Sequence, residues 1–316
     1  MNLITTLKGS YVEAFVPKGW DFQKFDDCIG NGVEEASERQ SFWNEDFKPV
    51  ACESLSDFGV YMGHEIAMEI KKTYEKQQKL ALILPVGPMG MYQWVSYFVE
   101  QWDIDCKHVY TFNMDEWSDA EGNTTDPKEN GSFQYAMEHG FFNLMGERTV
   151  PEDHRHFATK EVLPQYGEKI RAIKEDGGRL VTVFGIGRAF HIAFWEPHFA
   201  EDYDSDEEWL KAEYRIGAPL HPLTIEQNAL TSYKSRTSLI PAYANTVGPG
   251  LFFKSDKMIG GCDGIFGRGM QWQGLSFWVT LRHGPTRWAT STYIPTRPGV
   301  LFYMKDLAGP LQPESN

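Results

Sequence analysis

The stretch KLALILP, residues 79–85, decides the fold of this chain. It is a short, continuously apolar run closed by a proline, a pattern typical of a strand that is buried on both faces of a parallel sheet. RLVTVF at 179–184 repeats this pattern, and HVYTFNMDEW at 108–117 is an apolar strand that runs into two carboxylates. DKMIG at 256–260 and GVLFYM at 299–304 predict a fourth and a fifth strand.

Helical periodicity lies between these strands. The first predicted helix follows Ser54, which forms a capping-box-like start with Asp57, and its apolar residues recur every four positions: Phe58, Met62, Ile66, Ile70 and Tyr74. A second helix carries its apolar residues on one face: Met91, Val95, Phe98 and Trp102. A third is predicted over Thr159–Glu175, where Gly177 and Gly178 supply the stop. Strands that alternate with helices in this way predict an α/β fold with a mostly parallel sheet and helices on both faces.

The 316 residues fit one large α/β domain, and no internal repeat or low-complexity linker divides them. We predict an N-terminal extension over residues 1–50 that packs on the core, and an α/β domain over residues 51–316. The chain carries 30 basic and 44 acidic residues, a net charge of -14, which argues against a nucleic acid or an anionic membrane as partner. Four scattered cysteines, an N-terminus unlike a signal peptide and the lack of any run of about 20 apolar residues predict a cytoplasmic protein.

Three stretches follow the carboxyl ends of predicted strands, which is where ligands bind in such sheets. They are PVGPMGMY at 85–92, NMDEW at 113–117 and GIGRAFHIAFWEP at 185–197. Singly, each has an ordinary structural explanation: a generic turn before a helix, a carboxylate that caps the next segment, and a histidine packed in a core. Together they predict one cleft, in which the turn at Val86 and Gly87 binds substrate opposite the ionisable groups.

The ionisable residues of these stretches predict acid/base chemistry. Asp115 suits removal of a proton next to a carbonyl or iminium carbon and its return to the neighbouring carbon, and Glu116 beside it is a candidate substrate-binding residue. His191 can exchange a proton with a ring oxygen near neutral pH, and Glu196 would fix its tautomer and raise its basicity. No metal or cofactor is predicted.

Five motifs in this order carry a resemblance to a known family: LILPVGPMGMY, KHVYTFNMDEW, FGIGRAFHIAFWEP, IPAYANTVGPG and WATSTYIPTRPGVLFYM. From about Ala51 to its C-terminus the chain resembles the glucosamine-6-phosphate deaminase/isomerase family of the 6-phosphogluconolactonase-like superfamily. The resemblance implies a three-layer, Rossmann-like fold and conversion of an aldose amino-sugar phosphate to the ketose phosphate with release of ammonia. It also implies that Asp115 moves a proton from C2 to C1, that His191 assists ring opening and that Glu196 supports the histidine.

The chain departs from this family pattern at two motifs, which predicts a divergent member. Arg188, Ala189 and Phe190 stand where the family has Asn-Asp-Gly, so His191 keeps at most one of two expected carboxylates. Phe190 can also change the turn, because a residue other than glycine pays to adopt a positive φ. The turn LPVGPMGMY is shorter than the family's phosphate turn and lacks its threonines, so fewer donors remain to hold a phosphate.

Three functions therefore stay open. The first is an amino-sugar isomerase or deaminase that acts on a sugar or sugar phosphate, with a substrate altered from glucosamine 6-phosphate. Arg188 or Arg268 would then anchor an anionic group, since Asn228 occupies one of the family's basic phosphate-binding positions. The second is a sugar lactonase of the 6-phosphogluconolactonase type, and the third is a non-catalytic sugar-binding homologue. Assembly into a homo-oligomer is also left open.

Overall fold

The computed structural model describes residues 7–267 and 269–313. Its helices are α1 Phe22–Asp27, α2 Val33–Ala36, α3 Leu55–Glu75, α4 Tyr92–Gln101, α5 Phe133–Gly140, α6 Tyr166–Glu175, α7 Asp206–Trp209, α8 Pro222–Ser232, α9 Pro249–Phe252 and α10 Gly274–Arg282. Its strands are β1 Phe47–Cys52, β2 Leu80–Leu84, β3 Val109–Asn113, β4 Asp115–Ser118, β5 Arg155–His156, β6 Arg179–Gly185, β7 Tyr214–Pro219, β8 Tyr243–Val247, β9 Lys257–Cys262, β10 Ile265–Gly267, β11 Met270–Gln271 and β12 Gly299–Met304. None of the helices in these ranges is long and apolar enough to cross a membrane.

A seven-stranded sheet forms the middle of the molecule. Its order is β1-β12-β9-β6-β2-β3-β5, and every neighbouring pair in it is parallel. Parallel neighbours need long crossover connections, which is why helices alternate with these strands along the chain. α3 packs against β9 and β12, and α6 packs against β2 and β6. The predicted α/β fold, a mostly parallel sheet covered by helices, is confirmed.

The first predicted helix begins as its sequence indicates. The Ser54 hydroxyl accepts a hydrogen bond from the Asp57 N–H at 3.1 Å and donates one to the Asp57 carboxylate at 2.8 Å. The helix then buries its apolar face on the sheet, with Met62 and Ile66 fully enclosed. Gly261 of β9 allows this close approach, because a Cβ there would lie 2.6 Å from the Phe58 ring.

The third predicted helix is shorter than expected. It begins at Tyr166 rather than Thr159, after a 3-10 turn over Leu163–Gln165. Pro164 has no N–H to donate, and the Thr159 carbonyl already accepts from residues 162 and 163, so the α-helical pattern starts only beyond the proline.

HVYTFNMDEW forms two strands, not the one that we expected. β3 ends at Asn113 in the central sheet, and β4 begins at Asp115 in a second, antiparallel sheet of order β4-β8-β7. Met114 joins the two sheets: its N–H donates to the Leu84 carbonyl at 2.9 Å, and its own carbonyl accepts from the Val247 N–H at 2.8 Å. Asp115 therefore stands at the junction of the two sheets.

The N-terminal segment contributes to the sheet and to the core. β1 pairs in parallel with β12, so the boundary predicted at residue 50 lies inside an edge strand. The Trp43 indole N–H donates to the Leu281 carbonyl at 2.9 Å. Further towards the N-terminus, the Trp20 ring lies 5.2 Å from the Phe190 ring, which brings this segment next to the GIGRAFHIAFWEP motif.

Candidate active site

A cleft of about 930 Å³ lies at the carboxyl ends of the parallel strands. Val86 and Gly87 line it after β2, Asp115 lines it just beyond β3, and Gly187 and His191 line it after β6. These positions follow three neighbouring strands of one sheet, the edge at which α/β proteins bind their ligands. Four of the predicted site residues thus border a single cleft, and Glu196 lies behind His191.

A threonine connects His191 to Glu196. The Thr224 hydroxyl donates to Glu196 Oε2 at 3.0 Å and lies 3.0 Å from His191 Nδ1, while Nδ1 and Oε2 are 3.4 Å apart. A hydroxyl has one proton, and this one points to the carboxylate, so the threonine oxygen accepts from an Nδ1–H group. This arrangement puts the imidazole proton on Nδ1 and leaves Nε2 as a proton acceptor.

Glu196 is fully buried and acts through the histidine rather than from the cleft. Burial alone would raise the pKa of its carboxyl, but His191, His221 and the Thr224 hydroxyl together hold that pKa below its ordinary value. The His221 backbone N–H also donates to Glu196 Oε1 at 3.1 Å. The carboxylate therefore stays ionised and can orient an imidazole.

The turn that carries His191 is built around a glycine. A Cβ at Gly187 would collide with His191 Nε2, so only glycine leaves room for the ring. The Gly187 N–H donates to the His191 carbonyl at 2.9 Å, and the Phe190 N–H donates to the Gly187 carbonyl at 3.0 Å. These two bonds fix the turn and with it the direction of the imidazole.

Phe190 adopts a positive φ of 60° within this turn. The left-handed conformation costs a side-chain-bearing residue roughly 1–2 kcal/mol. The ring is buried, 4.8 Å from the Phe25 ring and 5.2 Å from the Trp20 ring. Aromatic contacts of this kind offset the backbone strain, so the turn keeps a conformation that favours glycine.

Asp115 brings an unpaired carboxyl to the cleft. It is 6% exposed, and no residue in the described ranges donates a side-chain or backbone hydrogen bond to its carboxylate. Burial first, and then the nearby charge of Glu116, raise the pKa of Asp115 well above its ordinary value. A carboxyl with a raised pKa holds a proton more tightly than an ordinary aspartate, and as a carboxylate it is the stronger base.

Glu116, predicted as a substrate-binding residue, has its carboxylate engaged outside the cleft. It does not line the cleft; its carboxylate accepts from the backbone N–H groups of Trp117, Phe133 and Gln134 at 3.0, 2.9 and 2.8 Å. Burial raises the pKa of Glu116 to about 7, although these three donors lower it. Glu116 thus ties β4 to the first turn of α5, where a helix leaves its N–H groups without partners.

Cationic side chains are absent from the lining of the cleft within residues 7–267 and 269–313. Arg188, predicted as an anchor, does not line it; its backbone N–H donates to the Gln227 side chain at 2.6 Å. Arg268, the other predicted anchor, lies outside the described residues. Asn228 lines the cleft, and Pro88 precedes the short helix there without an N–H to offer a phosphate.

Two further features of the cleft were missed from the sequence. Asp263 lines it just beyond β9, and burial raises the pKa of this carboxyl. Its position after a parallel strand is the signal that could have found it. The other feature is an aromatic wall formed by Trp117, Phe133 and Phe194, whose ring centroids are 4.7–5.9 Å apart.

Thr224 was also missed, because it lies on α8, which was not predicted. His221 and Pro222 are the signal for that helix, since proline favours the first helical position and the His221 side chain accepts from the Leu223 N–H at 3.1 Å. Among the described residues, no group of three or more His, Cys, Asp or Glu side chains is arranged to hold a metal ion.

Comparison with known proteins first defines the class. No family model matches the chain. The solved structure of a monomeric glucosamine-6-phosphate deaminase superposes with a TM-score of 0.64 over 83% of this chain and 98% of its own, at 18% identity. A 6-phosphogluconolactonase from Thermotoga maritima gives a TM-score of 0.54 over 82% of this chain and 99% of its own, at 12% identity. The protein therefore has the fold that these two classes share.

Sequence comparison then indicates the branch. A glucosamine-6-phosphate deaminase of a Thermoanaerobacter species is 26% identical over 209 residues, 63% of this chain and 72% of the relative. The Caenorhabditis elegans deaminase is 29% identical over 203 residues, 64% and 70% of the two chains. The deaminase of Drosophila pseudoobscura is 30% identical over 178 residues, which are 56% of this chain and 59% of the relative. The predicted resemblance is confirmed: the chain is similar in sequence to glucosamine-6-phosphate deaminases.

The strained turn predicts an inverted order of stability at residue 190. Phe190→Ala and Phe190→Gly both lose the ring contacts, at about 3 kcal/mol or more, but only glycine relieves the positive φ. The glycine variant should therefore be the more stable of the two by about 1 kcal/mol, measured by urea unfolding. Phe25 in α1 is the matched control, because there alanine should be more stable than glycine. The same order at both positions would show that the turn is unstrained.

The unpaired carboxyl predicts that Asp115→Asn stabilises the fold. When the pKa of a carboxyl is raised in the folded state, the free energy of unfolding falls as the pH rises from the unfolded pKa through the folded pKa. Relative to the wild type, the free energy of unfolding of the variant should be higher by on the order of 1 kcal/mol at pH 8, and by less near pH 4. Glu116→Ala should instead lower stability at both pH values, because it leaves three backbone N–H groups without their acceptor. Thermal unfolding at the two pH values tests this, and a destabilised Asp115→Asn protein at pH 8 would contradict it.

Proposed function

We propose that this protein is an amino-sugar aldose-ketose isomerase/deaminase, which moves a proton between C2 and C1 of an opened sugar. The observation that carries the proposal is the pair of proton-transfer groups on one cleft, Asp115 after β3 and His191 after β6. Its relatives in sequence are named glucosamine-6-phosphate deaminases. An enzyme of that family releases ammonia as it converts an aldose amino sugar to a ketose.

Asp115 is the proposed base. Removing a proton from the carbon next to a carbonyl or iminium group needs a carboxylate with no other partner, and returning the proton to the adjacent carbon favours the same group. Asp115 meets both requirements, since it borders the cleft and accepts no hydrogen bond from a described residue. Its raised pKa makes it a stronger base once ionised, at the expense of a smaller ionised fraction at low pH.

His191 is the proposed group for ring opening. With its proton on Nδ1, the ring offers Nε2 as an acceptor for the proton of the sugar's anomeric hydroxyl, and the resulting imidazolium can then return a proton to the ring oxygen. The ionised Glu196, acting through Thr224, stabilises that imidazolium. Thr224 thus connects the imidazole to its carboxylate, while Ala189 stands where the family pattern has a second carboxylate.

The substrate is proposed to differ from glucosamine 6-phosphate at the end remote from C1 and C2. The cleft binds that end with groups other than those that bind a phosphate. The described lining of the cleft offers amide and hydroxyl side chains, among them Asn130, Gln227 and Thr231, and the aromatic wall. Such groups bind sugar hydroxyls and the apolar face of a pyranose, whereas a phosphate favours a cluster of cations. We therefore include unphosphorylated amino sugars among the candidate substrates.

Solvent proton exchange tests the proposed base. Aldose amino sugars and their 6-phosphates in heavy water should gain deuterium at C2, or at C1 of the ketose, in the presence of the protein. Asp115→Asn keeps the shape but removes the base, so exchange should fall at least ~100-fold. In the wild type the rate should rise with pH through a value above about 3.9, the ordinary aspartate pKa, because only the ionised base acts.

Asp263→Asn is the matched control, because it makes the same change in another buried carboxyl of the cleft. It should lower the maximal exchange rate by less than about 10-fold. Equal exchange by wild type and Asp115→Asn would remove Asp115 as the base. Release of ammonia separates a deaminase from a plain isomerase, and lactone hydrolysis without exchange would replace the proposal by a lactonase activity.

The Thr224 hydroxyl predicts a second kinetic effect. Thr224→Val keeps the side-chain shape but breaks the connection between imidazole and carboxylate, so the maximal rate with a ring-closed sugar should fall roughly 10-fold or more with little change in KM. Thr224→Ser should restore most of the rate. The loss should be smaller for a substrate that is already open-chain, since that substrate needs no ring opening. Equal losses for both substrates would mean that Thr224 serves folding only.

A further inference from the structure

A second cavity, of about 540 Å³, lies at the opposite edge of the sheet. It is bordered by α6, by residues 249–255 and by Arg297 and Pro298 just before β12. Leu180 near the start of β6 lines this cavity, and Gly185 at the end of β6 lines the cleft. The two sites are therefore separated by most of one strand, roughly 16 Å at 3.3 Å per residue.

This cavity is basic in a chain that is strongly acidic overall. Its lining includes Arg171, Lys174, Lys254 and Arg297, with Glu213 as the acidic residue among the lining side chains described. Arg171 pairs with Glu213 at 2.5 Å, and Lys254 lies 3.9 Å from the same carboxylate oxygen. Lys174 pairs with Asp256, which lies outside the lining, at 2.9 Å, so four cations face two carboxylates. The local charge thus remains positive after these pairs are counted.

Arg297 is the group that points to a ligand. Its side chain forms no ion pair or hydrogen bond with any residue in the described ranges, and its Nε is buried without a partner. Burial lowers the pKa of its guanidinium, as expected for a cation held without a counter-charge, and the Phe253 ring centroid lies 5.9 Å away. A half-buried guanidinium whose Nε is enclosed without an acceptor among the described residues is destabilising, and it becomes favourable when an anion fills the cavity.

We propose that this cavity binds a small phosphate monoester, whose phosphoryl group Arg297 holds with its planar fork of donors. A guanidinium matches phosphate in a two-point contact, and Lys254 in the lining adds positive charge. Apolar side chains, among them Ile170, Leu180 and Leu251, form the walls against which the carbon part of the ester packs. This site is separate from the cleft, and its proposal does not depend on the function proposed for the cleft.

Titration calorimetry with inorganic phosphate, phenyl phosphate and phenol tests the site in the intact chain. Phenyl phosphate should bind saturably with a Kd below about 1 mM, inorganic phosphate at least about 10-fold more weakly, since it lacks an apolar part, and phenol not measurably. Arg297→Met fills the same space without the charge and should lower the affinity for phenyl phosphate at least about 10-fold. Arg297→Lys keeps the charge but loses the fork, so its affinity should be intermediate.

Arg148→Met is the matched control, because it removes the same charge from an exposed arginine that pairs with Asp103. Its affinity should equal that of the wild type. Hydrogen exchange locates the ligand: residues 249–255 should become protected, and residues 85–92 of the cleft should not. Unchanged affinity in a folded Arg297→Met protein, the lack of saturation up to about 10 mM ligand, or protection confined to the cleft would each overturn the proposal. Equal affinity for phosphate and its ester would contradict the assignment to a monoester.

Discussion

The backbone of Met114 is the junction on which the candidate site depends. Its N–H is bonded to Leu84 in the parallel sheet, and its carbonyl is bonded to Val247 in the antiparallel sheet. Because these bonds hold the chain where β3 ends, Asp115 leaves the central sheet at the edge where β2 and β6 also end. The pairing of two sheets thus creates the cleft and delivers a carboxyl to it. The same geometry leaves that carboxyl without a donor from residues 7–267 and 269–313, which keeps it available for a substrate.

The N-terminal segment supports His191 from two sides. Trp20 and Phe25 pack on Phe190 and hold the strained turn that precedes the histidine. The carbonyl of Phe15 accepts a hydrogen bond from His221 Nε2 at 2.7 Å, so that ring carries its proton on Nε2 and its Nδ1 is free to cap α8. α8 in turn carries the threonine that contacts the imidazole. A segment outside the resemblance to the deaminases therefore stabilises the residues around the proposed ring-opening group.

The central strands are predictable from the sequence because their signal is local. KLALILP and GVLFYM are apolar at almost every position, and both form fully buried strands. The cleft positions of Asp115 and His191 follow from the rule that ligands bind beyond the carboxyl ends of parallel strands. The connection through Thr224 does not follow, since no spacing along the chain relates it to His191. The end of β3 cannot be predicted from the local sequence either, because a hydrogen bond from β8, distant along the chain, determines it.

The two cavities share a physical property that separates them from defects in packing. Asp115 reaches the carboxyl edge of the sheet without a donor, and Arg297 reaches the amino edge without an acceptor among the described residues. Elsewhere the partly buried charges are matched, as when the Glu69 carboxylate binds Lys72, Arg179 and Lys257 and its pKa falls to about 2. An ionisable group that is removed from water without a partner lowers stability. The pairing of Glu69 shows that this fold can supply partners to such groups. That it leaves Asp115 and Asp263 in the cleft and Arg297 in the basic cavity without side-chain partners among the described residues indicates that the missing partners are ligands.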